Sequence, residues 1–325
     1  MAIPVPMSAP PPTGARAMLL GLRNGDEVAR LITLAFASII LLVTVGLIYQ
    51  LWSTSSLPRH KFGFGFLTSS LWNPVTGRFG ALPFIYGTVV TSVIALLIAV
   101  PLGVGAAIFL SELAPPRVSS TFTFFIELLA AVPSVIYGLL AFFALVPLMR
   151  DYAEPFLQKT LGFLPIFSGT IFGMGYLTAG AILAIMTLPF IISISREALL
   201  EVPTEQREAA LALGATRWES TWQAVVPYAR LGIFGSIFLA LARALGETMA
   251  VTMVIGNDPK VHESMFALGY TIAAIIANEF SEATTDLHVQ SLVLLGLVLF
   301  LLTIVINALA RLLIIATARR GSAQP

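Results

Sequence analysis

Arg243 and Glu247 stand four residues apart inside an apolar run of this 325-residue chain. An Arg near the centre of a membrane helix costs roughly 2.5–3.5 kcal/mol on insertion scales, so such a residue usually faces a bundle interior or a water-filled path. The four-residue spacing puts both side chains on one helix face. Two readings stay open. The pair is an internal ion pair that locks a bundle, or Arg243 eases an oxyanion across while Glu247 holds the guanidinium in place. The planar fork of a guanidinium suits the second role, because it matches oxyanion oxygens bidentately. Glu127 and Asn307 lie in two other apolar runs. Either could satisfy Arg243 or line the same path; the plainer reading makes each a hydrogen-bonded packing residue.

A second concentration of polar residues runs from Glu197 to Pro227. Pro203 suits the first turn of a helix, where its missing N–H does no harm. Residues 205–213 are good helix formers. Gly214 is placed to end the helix in a left-handed conformation. Two to three turns of helix are too short to persist without packing. The stretch therefore reads as a docking element, held by another protein and able to receive force from it. Arg217 and Trp218 follow, Arg217 most simply as a solvated or lipid-facing charge.

The elements that must position these residues are membrane spans. Hydrophobic residues make up 57% of the chain and charged residues 11%, against about 25% charged in a soluble domain; mean hydropathy is +0.91. Six runs approach the roughly 20 apolar residues a bilayer requires: about 31–52, 84–111, 122–148, 168–194, 231–255 and 289–315. An even number returns both termini to one side. That side carries eleven Arg (16, 23, 30, 117, 196, 207, 217, 230, 311, 319 and 320), against six Arg and Lys (59, 61, 78, 150, 159 and 260) opposite. The positive-inside rule makes it the cytoplasm, together with the 112–121 and 195–230 loops. The Pro-rich start, 1–30, reads as a cytoplasmic tail leading into a first anchor; its following apolar run is too long for a signal peptide. Residues 316–325 read as a second tail. The first outer loop, 53–83, holds Phe62, Phe64, Phe66, Trp72 and Phe79. It reads as an aromatic anchor in the bilayer interface, or as part of a surface for an external partner. Gly and Pro in the second to fourth spans point to close-packed, bent helices.

Several chemistries are disfavoured. There is no cysteine, hence no disulfide framework and no Cys-ligated metal site. The only Lys followed by Ser or Thr is Lys159, and the glycines of a P-loop do not precede it. His60, His262 and His288 all fall outside the expected spans, which argues against an intramembrane Ser–His hydrolase. Net charge of +1 gives no reason to expect nucleic acid. No catalytic residue, metal or cofactor is assigned.

Glu208-Ala209-Ala210, then Gly214, then Pro227 resemble the EAA loop of bacterial ABC-importer permeases. The pattern is Glu-Ala-Ala, three residues, Gly, nine residues, Ile, one residue, Leu-Pro. Ala224 and Val226 stand in the Ile and Leu places, a departure that keeps the spacing. The runs 72–116, 196–222 and 225–257 resemble one branch of that family, the PstC-type phosphate permeases, more than the partner PstA type. Ala242 stands where Gly is common in that branch. The resemblance implies an all-α, six-helix permease of the type I importer (MetI-like) fold over residues 31–315. Residues 204–214 would then insert into a separate, PstB-like ATPase. Other implied partners are a second, PstA-like permease and a PstS-like phosphate-binding protein; the cargo is phosphate, with Arg243 and Glu247 on its path. Rival readings are a permease for molybdate or sulfate, or a stand-alone channel or secondary transporter, which leaves the Glu208–Pro227 spacing unexplained.

Overall fold

The computed structural model describes the backbone of residues 26–321 and the side chains of residues 28–312; most of the expected Pro-rich tail lies outside them. The chain divides into two units, residues 1–54 and 55–325. In the first, α1 (Asp26–Thr54) is one uninterrupted helix of 29 residues. That is long enough to cross a hydrocarbon core of about 30 Å at 1.5 Å per residue.

The second unit is also helical. Among the described residues the only β pairing is two isolated bridges, Asn73 with Arg78 and Gly256 with Gly269. Its long helices are α2 (Leu82–Leu113), α4 (Ser134–Leu161), α5 (Tyr176–Leu200), α7 (Arg217–Gly246) and α10 (Asp286–Gly321). Shorter helices lie between them: α3 (Pro116–Ala130), α6 (Thr204–Ala212), α8 (Met249–Val254) and α9 (Ile272–Glu279). With α1, six helices among the described residues are long and apolar enough to cross a membrane.

The centre of the unit is α5, which packs on α2, α7 and α3. Small residues bring the backbones close where lipid supplies no hydrophobic drive. A Cβ on Gly180 would meet Ile94 Cγ2 at 2.4 Å, and one on Gly103 would meet Ile191 Cγ2 at 2.7 Å. The fully buried Ser195 and Ser236 hydroxyls add a 2.8 Å hydrogen bond between α5 and α7.

Proline shapes the long helices in a regular way. Wider π turns occupy Phe109–Leu113, Ala141–Leu145, Met149–Ala153 and Thr221–Val225. Each ends two residues before a proline: Pro115, Pro147, Pro155 and Pro227. A proline ring clashes with the carbonyl four residues back and offers it no N–H. Here the residue just before each proline donates to the carbonyl five back instead, as Val226 N–H does to Thr221 O.

Three expectations are corrected. The third run, 122–148, is not one helix. Residues 131–133 interrupt it, because Pro133 disfavours helical geometry at the residue before it. The span that follows is α4, which continues through the expected 149–167 loop as far as Leu161. The fifth run, 231–255, is also broken: Glu247 is extended (φ −69°, ψ 131°) between α7 and α8.

The third correction concerns the first outer loop. Its segment forms short helices at Ser56–Phe62 and Gly65–Thr68. Phe66, Trp72 and Phe79 are only 1%, 9% and 2% exposed, so these three are core rather than interfacial anchors, whereas Phe64 is 89% exposed. Trp72 Nε1 donates to Glu279 Oε2 at 2.9 Å, and the same oxygen lies 2.9 Å from His288 Nε2. His288 stacks on Phe79. One carboxylate thus joins this segment to α9 and α10, at the end of the bundle opposite α6.

Candidate functional site

The polar loop forms the helix its residues predict. Pro203 stands just before the first turn as the N-cap residue. At the other end Gly214 has φ +88°, the left-handed region. Gly214 N–H donates to Leu211 O at 3.0 Å and Ala215 N–H to Ala210 O at 3.2 Å. These two bonds are the Schellman arrangement that closes a helix end. None of the residues of α6 is buried, and Leu213, just beyond it, is 91% exposed.

Ala209, Ala210 and Gly214 line a cleft of about 490 Å³ together with Glu219, Gln223 and Ala224. The two halves of the Glu208–Pro227 spacing therefore meet in space. Glu208 is exposed, and Pro227 lies beyond the cleft, just after the π turn in α7. A capping box fixes the turn between the halves. Glu219 Oε2 accepts from Thr216 N–H at 2.8 Å, and Thr216 Oγ1 accepts from Glu219 N–H at 3.3 Å. The Thr-x-x-Glu spacing at 216–219 was the sequence signal for it.

Inside the bundle, Arg243 lies three residues before the end of α7. Its Cζ is 4.4 Å from the centroid of the Phe190 ring, on α5. A guanidinium over an aromatic face gains more when desolvated. Its Nε is buried and has no hydrogen-bond partner among the described residues. The Tyr137 hydroxyl lies within reach of the Arg243 charge; it donates to Leu129 O at 2.8 Å and so bridges the interruption between α3 and α4.

None of the other residues expected beside Arg243 hydrogen-bonds to it among the described residues. The extended backbone at Glu247 ends the helix on which an i,i+4 pair depends. Among the described residues no ion pair includes Arg243. Glu247 Oε1 instead accepts from Ala250 N–H at 3.4 Å, in the first turn of α8. Asn307 Nδ2 donates back to Thr303 O at 2.9 Å, the local packing bond of the plainer reading. Glu127 is exposed on α3 and makes no side-chain hydrogen bond among the described residues. Phe190 was not anticipated, because nothing in a single sequence places a ring on α5 against a guanidinium on α7.

The fold is therefore a helical membrane bundle with a short, exposed, capped helix at one end. Residues 99–316 match the family of binding-protein-dependent transport system inner membrane components, and the chain belongs to that family. It is a multi-pass inner-membrane protein and one component of an ABC-type transport system. It is 47% identical over 302 residues to a Mesorhizobium japonicum protein named phosphate transport system permease protein PstC, covering 92% of each chain. It is 37% identical over 293 residues to a protein of Methanocaldococcus jannaschii named as a probable PstC, covering 88% of this chain and 92% of that one. A solved bacterial ABC transporter involved in importing the polysaccharide alginate shares the fold, with a TM-score of 0.54 at 14% identity, over 89% of this chain and 98% of that one.

Proposed function

We propose that this chain is the permease through which an ABC importer moves inorganic phosphate across the inner membrane, with ATP hydrolysed on a separate subunit. The PstC name of its relatives supports the cargo. The observation that carries the site is Arg243, a half-buried arginine whose buried Nε has no partner among the described residues and whose guanidinium is held on an aromatic face rather than on a carboxylate. A guanidinium stays charged at any accessible pH and presents a fork that suits phosphate oxygens. Arg243 is the phosphate contact in this reading. Glu247 shapes the break beside it, and Glu127 and Asn307 belong to the surrounding wall.

In the same reading α6 with Gly214 is the docking helix for a PstB-like ATPase, and Glu208, Ala209, Ala210 and Pro227 shape its surroundings. Both termini and α6 are cytoplasmic, following the Arg asymmetry. A PstA-like permease completes the membrane pair, and a PstS-like binding protein delivers phosphate at the opposite end.

The test is uptake of labelled phosphate by vesicles holding the chain with its ATPase, second permease and binding protein. ATP-dependent uptake resisting excess molybdate and sulfate is expected. Uptake suppressed by either competitor would favour the broader oxyanion reading, and uptake without any ATPase would favour a stand-alone transporter.

A further inference from the structure

α6 packs against the start of α7, but its side-chain hydrogen bonds to the bundle come from one residue. Among the described residues, Arg207 is the only side chain of α6 that hydrogen-bonds outside the helix. Its Nε donates to Glu112 Oε2 at 3.1 Å and its Nη2 to Glu112 Oε1 at 2.8 Å, the bidentate geometry of a strong arginine–carboxylate pair. Nη2 also donates to Leu199 O at 2.8 Å, and Nη1 donates to Val202 O. The Arg207 and Glu112 side chains are 21% and 10% exposed, so water competes weakly for the pair.

The three anchors belong to different elements. Glu112 lies in the π turn that ends α2. Leu199 is in the last turn of α5, whose terminal carbonyls have no partner within the helix. Val202 is in the turn that leads to α6. One guanidinium therefore joins the docking helix to the ends of two spans that pack along their length. A lysine cannot replace it, because an ammonium is a point charge without the fork.

We infer that Glu112 and Arg207 are the positioning pair through which displacement of α6 is passed to α2 and α5 together. This rests on the proposed role of α6 as the ATPase-docking helix. With the pair broken, α6 keeps its exposed docking face but slides without carrying the spans. Nucleotide hydrolysis then continues without cargo movement.

The experiment uses the complete importer in vesicles, with Glu112→Gln and Arg207→Lys compared with wild type. Glu112→Gln should retain the ATPase and hydrolyse ATP within about twofold of wild type, and in both variants phosphate moved per ATP should fall at least tenfold. The chain has no native cysteine, so a Glu112→Cys, Arg207→Cys double variant can be bridged with a short bis-thiol crosslinker. Bridging should restore at least half of the wild-type ratio. Hydrogen exchange of residues 204–214, which needs no transport, should run at least tenfold faster in Glu112→Gln. Wild-type coupling in Arg207→Lys, unchanged exchange in Glu112→Gln, or loss of the ATPase from both variants would each overturn the inference; the last would make the pair a structural brace only. Absence of phosphate uptake by the wild-type complex would instead remove the phosphate reading, and the exchange measurement would still judge the pair.

Discussion

The guanidinium carbon of Arg243 lies 4.4 Å from the ring centroid of Phe190, and Phe190 is on the same helix whose last turn Arg207 holds. One element, α5, therefore touches both the intramembrane charge and the side chain that ties α6 to the bundle. A shift of α5 along its axis changes what Arg243 faces. It offers a route from α6 to the interior of the bundle beside α7, which follows α6 in the chain and carries Arg243 itself.

The ring is the first place to test this route. A cation–π contact contributes about 0.5–2 kcal/mol depending on desolvation, which is roughly two- to thirtyfold in a rate or affinity. Phe190→Leu should lower initial phosphate uptake at limiting phosphate within that range, and Phe190→Trp should keep it near wild type. Equal uptake by Leu and Phe variants would show that the ring does not hold the guanidinium in the working protein.

Gly214 is required for its backbone rather than for space. Nothing lies within 4 Å of a Cβ built there, but φ is +88°. A left-handed residue other than glycine costs about 1–2 kcal/mol, and a branched side chain would also project at the docking face. Gly214→Val should cut ATPase co-purification at least fivefold. Gly235→Ala, equally open and without positive φ, should be neutral; similar losses from both would remove the special role of Gly214.

The contact between α4 and α8 depends on a different glycine. A Cβ on Gly138 would come within 2.6 Å of Met253 Sδ and 3.0 Å of Ala250 Cα. Overpacking of this kind costs about 1–3 kcal/mol. Gly138→Leu should lower the Tm of the purified complex by several degrees and move α8, which carries the turn shaped by Glu247. An unchanged Tm would mean that α4 and α8 are loosely joined.

At the far end, Glu279 Oε2 serves both Trp72 and His288. Removing the carboxylate leaves a buried indole N–H without an acceptor, a loss of about 1–3 kcal/mol. Glu279→Ala should accelerate hydrogen exchange across residues 55–81 while leaving residues 204–214 unchanged. Exchange rising equally in both segments would contradict the separation of the two ends.

What the sequence revealed follows the range of the forces involved. Pro203 and Gly214 act on their own turns, so α6 was readable from those residues and their neighbours. The number of spans was readable because hydropathy sums over each run. The break at Glu247 was not, since no proline or charge cluster marks it and the apolar run continues to Ile255. The i,i+4 pairing of Arg243 with Glu247 failed for that reason. Trp72 and Phe79 were misread because an aromatic residue in a loop looks the same whether lipid or α10 covers it. Arg207 and Glu112 are 95 positions apart, and only the packing of α2 on α5 brings them together. The π turns were not readable from proline alone, since Pro101 and Pro189 sit inside α2 and α5 with no π turn before them.

The most direct test of the account is Arg243→Ala in the complete importer, with binding protein and labelled phosphate outside and ATP inside. The account predicts a complex that assembles with its ATPase and loses at least a hundredfold of phosphate uptake, with Arg243→Lys recovering only a small part. Uptake by Arg243→Ala within twofold of wild type would contradict it.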